Sequence, residues 1–235
     1  MEQVNKKQKP SSDDYSRVTH AAGVLASQAC SVSALHIEDG MLQIQFNREV
    51  AYYARGIVRE VAEGRKSAEW GLKELRQDLT ALAAKSSEIG RKSVGVVAGV
   101  AQVVGGSAMC VGSYMVACPI GVAMAAHGTN NIIENGVNLW NGDSEMQGPV
   151  RKIYQSFGNR LGGSQSAGDK AYAIMDLGFS GWGLLRKIPK TGSWKLYRTI
   201  PTDFVRAYRQ TSKPALTLEF LSDAITLEQL FKMSD

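Results

Sequence analysis

The chain has 235 residues, of which 44% are apolar and 21% charged, and a formal net charge of +5. That length fits one domain or two small ones and can bury a sizeable core. A mean hydropathy of −0.17 describes a globular protein and excludes a polytopic membrane protein.

The first residues, MEQVNKKQKPSSDDYSR, are polar and contain no apolar stretch of signal-peptide type. Residues 1–16 read as a disordered leader. In ALHIEDGMLQIQF (34–46), two strand-like runs flank Asp39-Gly40, the pattern of a small β-hairpin. From about Arg48 the spacing turns helical. Val50, Tyr53, Ile57 and Val61, and then Trp70, Leu72, Leu75, Leu79 and Leu82, recur largely at intervals of three and four, on amphipathic helices that run to residue 92. Gly56, Gly64 and Gly71 argue against one unbroken helix.

Residues 93–133 contain no Asp, Glu, Lys or Arg. Pro119 divides this run, because proline lacks the N–H that would continue a helix and disfavours helical backbone at Cys118. Two helices are expected, about 93–116 and about 120–139, forming a hydrophobic hairpin over residues 93–140. The first is long enough to cross a hydrocarbon layer about 30 Å thick. The second has only about 22 Å before Glu134, at 1.5 Å per residue. The run holds nine Val and no Leu or Phe, so its gain on entering lipid is small. Its small residues Gly95, Gly99, Gly105, Gly106, Gly112 and Gly121 suit close helix approach instead. These glycines and Pro119 form the candidate membrane-inserting set. The hairpin serves equally as the centre of a soluble α-helical domain. Two of the three cysteines, Cys110 and Cys118, lie in this run and the third is Cys30. The odd count and the spacing argue against a disulfide framework and for a reducing compartment.

On the second arm, His127, Asn131, Glu134 and Asn138 share one helical face. Asp176, from the later apolar segment 171–185, could face them. This set could perform acid–base chemistry, line a wet path through a bilayer, or form a hydrogen-bonded seam at the rim of a core. It has too few ligands for a convincing metal site, and no cofactor fingerprint, nucleophile elbow or phosphate loop is present. No catalytic residue is assigned.

Residues 141–235 read as a basic helical region. Within it, residues 151–213 carry 12 Lys/Arg against 3 Asp/Glu. Such a face suits anionic lipid, an acidic protein or nucleic acid, or is a plain solvated surface. Arg151, Lys152, Trp182, Arg186, Lys187, Trp194, Lys195 and Arg198 are the candidate membrane-interface residues. The end, LEFLSDAITLEQLFKM, reads as a short amphipathic helix. The fold expected is mainly α: a helical bundle around the central uncharged Gly/Ala/Val-rich hairpin, with a small N-terminal β-hairpin.

The order PIGVAMAAHGTNNIIENGVNL, GPVRKIYQSFGNRLGGSQSAGDKAYAIMDLGFSGWGLLR and DFVRAYRQ resembles the domain-of-unknown-function 4225 family, over roughly residues 95–210. That family occurs in Gram-negative bacteria as small free proteins and as tips of polymorphic toxins. The resemblance implies an interbacterial effector made in the cytoplasm without a signal peptide and secreted by a contact-dependent machine such as type VI secretion. Its partners would be a secretion-machine component, a cognate immunity protein, the anionic inner membrane of the target cell and further copies of itself, with no nucleic acid among them. The function expected is a pore-forming antibacterial toxin that inserts the hairpin and depolarises the target. The alternatives are an enzymatic toxin with a site around His127, Glu134 and Asp176, or a non-toxic membrane-associated protein.

Overall fold

A computed structural model describes residues 10–112, 115–142, 146–191 and 204–233. Among them are seven α-helices and one two-stranded sheet. The fold is mainly α, and the chain divides into two compact units, Met1–Glu88 and Ile89–Asp235.

The first unit is built from α1 (Ser12–His36), α2 (Gly40–Ala62) and the opening turns of α3 (Ala68–Gly112). Ser11 starts α1 as its N-cap, accepting a hydrogen bond from the Asp14 amide at 3.1 Å. Asp13 and Asp14 lie in the first turn, where they complement the helix dipole. Helix α1 therefore takes in residues read as the end of a leader. Val18, Ala22, Leu25 and Ala29 alternate at four and three residues, so one stripe of α1 is buried. It meets Ala54, Ile57 and Val61 of α2 and Leu75 of α3 in one apolar core.

The expected β-hairpin at 34–46 is not formed; these residues end α1 and begin α2. Asp39 is the reason. Its carboxylate accepts from the Met41 and Leu42 amides at 2.8 and 3.0 Å, so Asp-Gly opens a helix instead of turning a hairpin. The chain then leaves α2 through Gly64, whose φ of 67° suits a residue without a Cβ.

The second unit holds the rest of α3, then α4 (Cys118–Asn141), α5 (Pro149–Arg160), α6 (Gln165–Leu185) and α7 (Lys213–Lys232). Strands β1 (Lys187–Pro189) and β2 (Phe204–Arg206) pair antiparallel between α6 and α7. The first arm of the hairpin is not a separate helix beginning near residue 93. It continues the amphipathic helix before it, as one helix of 45 residues that ends at Gly112. Pro119 sits in the first turn of α4, where its missing N–H breaks no helical hydrogen bond. Ser164 and Ser212 cap α6 and α7 by accepting from the amides three residues on.

The cysteines depart from expectation. Cys110 and Cys118 are joined in a disulfide across the α3–α4 turn, their Cα atoms 4.1 Å apart. The turn brings together two residues that sequence spacing leaves unrelated. Cys30 is the free, exposed thiol.

Candidate functional site

Glycine sets the geometry of the hairpin. A Cβ on Gly99 would lie 2.6 Å from the Gly128 carbonyl oxygen, and one on Gly106 would overlap the Gly121 carbonyl. The two pairs, two turns apart on each arm, bring the backbones into contact. Gly95 packs on the Asn135 side chain and Gly105 faces Met124 more loosely. Gly112 is the last residue of α3.

With small residues between the arms, the larger side chains point elsewhere. Val97, Val100, Val104 and Val111 of α3 are exposed, Val104 at 63%. On α4, Val122 is exposed and Trp140 is 92% exposed, whereas His127, Asn130, Glu134 and Asn138 are buried. The hairpin thus buries polar groups and exposes apolar ones, the reverse of the usual soluble helix.

The buried polar groups form a connected network. Gln102 of α3 donates to Asp176 of α6 at 2.8 Å. Asn131 donates both to Gln102 at 3.1 Å and to Asp176 at 3.2 Å. The Tyr172 hydroxyl donates to Asn131 at 2.7 Å and accepts from Asn130 at 3.0 Å. Asn130 also accepts from the Val150 amide at 2.9 Å, fixing the start of α5. Glu134 accepts from the Gly148 amide at 2.7 Å and pairs with Arg151 at 3.4 Å. Asn138 holds Met146 by accepting from its amide and donating to its carbonyl, both at 3.0 Å. The Lys92 ammonium donates to the Asn138 carbonyl at 3.5 Å.

His127 sits in an aromatic cage at the middle of this network. Its ring stacks on Tyr172, with centroids 4.7 Å apart, and meets the edges of Tyr154 and Phe179. Its Nε2 and the Tyr154 hydroxyl are 3.1 Å apart. Its Nδ1 makes no hydrogen bond among the described residues, and the nearest carboxylate oxygen, on Asp176, is 3.8 Å away. Burial pushes the Tyr154 hydroxyl above its ordinary pKa, so it stays protonated at neutral pH. A protonated tyrosine, a histidine and a carboxylate in file can pass a proton or hold a polar seam; they do not make an activated nucleophile.

All five residues of the expected polar stripe fall in this network, and Asp176 lies against both His127 and Asn131. The interface set divides. Lys152, Trp182 and Lys187 are exposed. Arg151 is instead drawn into the network by Glu134 and stacks over Tyr172, 4.9 Å from the ring centre. Arg186 is half-buried, with its Nε shielded from water. Trp194, Lys195 and Arg198 lie outside the described residues. Sequence reasoning missed Gln102, Asn130, Tyr154 and Tyr172. Asn130 was within reach, being three residues from His127 on the same face. Gln102 is the sole amide among the valines of the first arm.

Among the described residues, no group of three or more His, Cys, Asp or Glu has the geometry to hold a metal ion. No curated protein and no solved structure matches the chain. Residues 83–212, more than half of the chain and nearly all of the hairpin and its polar network, match the family described as "Protein of unknown function (DUF4225)". The chain belongs to the DUF4225 family.

Proposed function

We propose that this chain is a membrane-inserting antibacterial effector. In this reading its α3–α4 hairpin enters the inner membrane of a target cell and, with α6, surrounds an ion path that depolarises it. The reversed polarity of the hairpin carries the proposal. In water, exposed valines contribute nothing to stability and buried amides must all be paired. In hydrocarbon the same arrangement is favourable: valines meet lipid, and polar groups face one another or a water-filled path.

Two further observations support it. Helix α3 is long and apolar enough to cross a membrane, and only 28% of its most apolar window is buried. Core helices of soluble proteins pass the same length test but are mostly buried. Helix α4, with 24 residues, spans about 36 Å in all, of which only the first part, up to Glu134, is uncharged. Glu134 and Asn138 do not shorten it, because they turn inward to Gly148, Arg151 and Met146. Exposed Lys152, Lys187, Trp140 and Trp182 suit an anionic headgroup layer. Secretion by a delivery machine, neutralisation by an immunity protein and oligomerisation in the membrane belong to the same proposal.

The test is purified protein added to dye-loaded vesicles of anionic lipid, together with membrane potential in expressing cells. Leakage, and depolarisation before any other lesion, are expected. Toxicity with intact vesicles and normal potential would overturn the reading.

The file Tyr154–His127–Asp176 favours a second reading, an enzymatic toxin. His127→Ala separates the two. An enzyme would lose toxicity while membrane association stayed constant, and a pore former would change conductance.

A further inference from the structure

The first unit carries an apolar groove outside the hairpin and almost wholly outside the family match. Its two adjoining hollows, of about 470 and 490 Å³, run between α1 and the start of α3. Ala21, Val24, Leu72 and Leu79 form its apolar floor. Its rim is cationic: Arg17, Lys73 and Arg76 stand against one lining acid, Glu69. Arg17 also has a loose, exposed ion pair with Asp14, at 3.7 Å.

Helix α7 has the complementary face. Phe220, Leu227 and Phe231 are 67%, 44% and 72% exposed. Spacings of seven and four set them in one stripe. Glu219 and Asp223 flank the stripe on one side and Glu228 on the other. Asp223 accepts from Ser180 and Glu228 pairs with Arg91, which hold α7 without covering the stripe; Glu228 also pairs with Lys232 one turn along the same helix. The lengths agree as well. The groove follows α3 from Glu69 to Thr80, and the stripe runs from Phe220 to Phe231, about 17 Å each at 1.5 Å per residue.

We propose that the α1–α3 groove of one molecule receives the α7 stripe of a second copy of this chain. This is the helix-in-groove mode, with aromatic anchors in an apolar floor and carboxylates against a basic rim. The chain's own first nine residues are a poor occupant, since Lys6, Lys7 and Lys9 outweigh Glu2 and would meet like charge. Groove and stripe are different surfaces, so the contact is head-to-tail and each docked pair still offers one free groove and one free stripe. The proposal does not rest on the membrane reading, because both surfaces lie outside the hairpin and the contact forms in water.

Sedimentation of the full chain tests it. Wild-type protein should grow from monomer to dimer and higher species as concentration rises. Phe220→Ser with Phe231→Ser, and separately Arg17→Glu with Arg76→Glu, should each weaken association by about tenfold or more. All four positions are exposed, and unchanged circular dichroism would show that the variants fold. Mixing the two variants should give a dimer that grows no further, since the one intact groove then meets the one intact stripe. Protein that stays monomeric at every concentration would overturn the proposal, as would association indifferent to either variant or mixtures that fail to pair.

Discussion

The two units fill their interiors with different proportions of apolar and polar groups. In the first, the buried side chains are Val18, Leu25, Ile57, Val61 and Leu75, and the charged residues are outside. In the second, His127, Asn130, Glu134 and Gln155 are buried, and Val104, Val111 and Trp140 are outside. The first unit gains stability from water's exclusion of apolar area. The second adds to a small apolar cluster of Met109, Met124 and Phe179 a set of hydrogen bonds, each worth little in water but more where the dielectric is low. On the proposed reading, one chain thus carries a portion suited to water and a portion suited to a membrane.

The sharpest way to break this comparison is Gly106→Val, which drives a side chain into the Gly121 backbone. It should cost the second unit more than about 4 kcal/mol, read by denaturant unfolding, and leave the first unit unchanged. A loss below about 1 kcal/mol would mean that the arms are not in contact. Leu75→Ala, by contrast, should cost the first unit about 3 kcal/mol and leave vesicle leakage alone. Asn130→Ala removes the partner of both Tyr172 and the Val150 amide, for a loss of about 2 kcal/mol. Replacing Val104 and Val111 by Ser should change stability in water by no more than about 0.5 kcal/mol. The same pair should slow leakage about tenfold, since two lipid-facing side chains turn polar; equal leakage would deny those valines a lipid role.

The smallest effect concerns pH. Burial is the main cause that holds the Asp223 carboxyl above its ordinary value, and the Ser180 hydroxyl only partly offsets it. The folded chain therefore binds this proton more tightly than the unfolded chain does. Stability from this source is full below the unfolded pKa and is lost as pH rises through the raised folded one. Asp223→Asn should flatten that part of the melting-temperature profile. An unchanged profile would mean that the carboxyl is not desolvated.

Much of this division was legible in the residues. An uncharged run broken by one proline announces a helical hairpin, and spacings of four and three gather His127, Asn131, Glu134 and Asn138 on one face. What escaped was non-local or ambiguous. Helix α1 was missed although Ser11, Asp14 and the Val18–Ala22–Leu25–Ala29 stripe are ordinary helix signals; polar composition at the start of the chain outweighed them. Asp39-Gly40 suits a hairpin turn and a helix N-cap equally, and the helical periodicity that follows decides between them. Tyr154, Tyr172 and Gln102 joined the site through packing of four helices, which no local window contains. The direction in which Arg151 turns depends on Glu134, seventeen residues away in the chain and on another helix.

The bond between Cys110 and Cys118 has a use beyond structure. Thiols persist in the cytoplasm and are oxidised outside it, so the pair keeps a chemical record of where a given molecule has been. Alkylation after rapid acid quenching would leave two adducts at the turn on molecules that never left a reducing space, and none on those that had. Exposed Cys30, labelled in both cases, calibrates the measurement. On the proposed reading, mass spectrometry would thereby separate delivered molecules from retained ones without a tag.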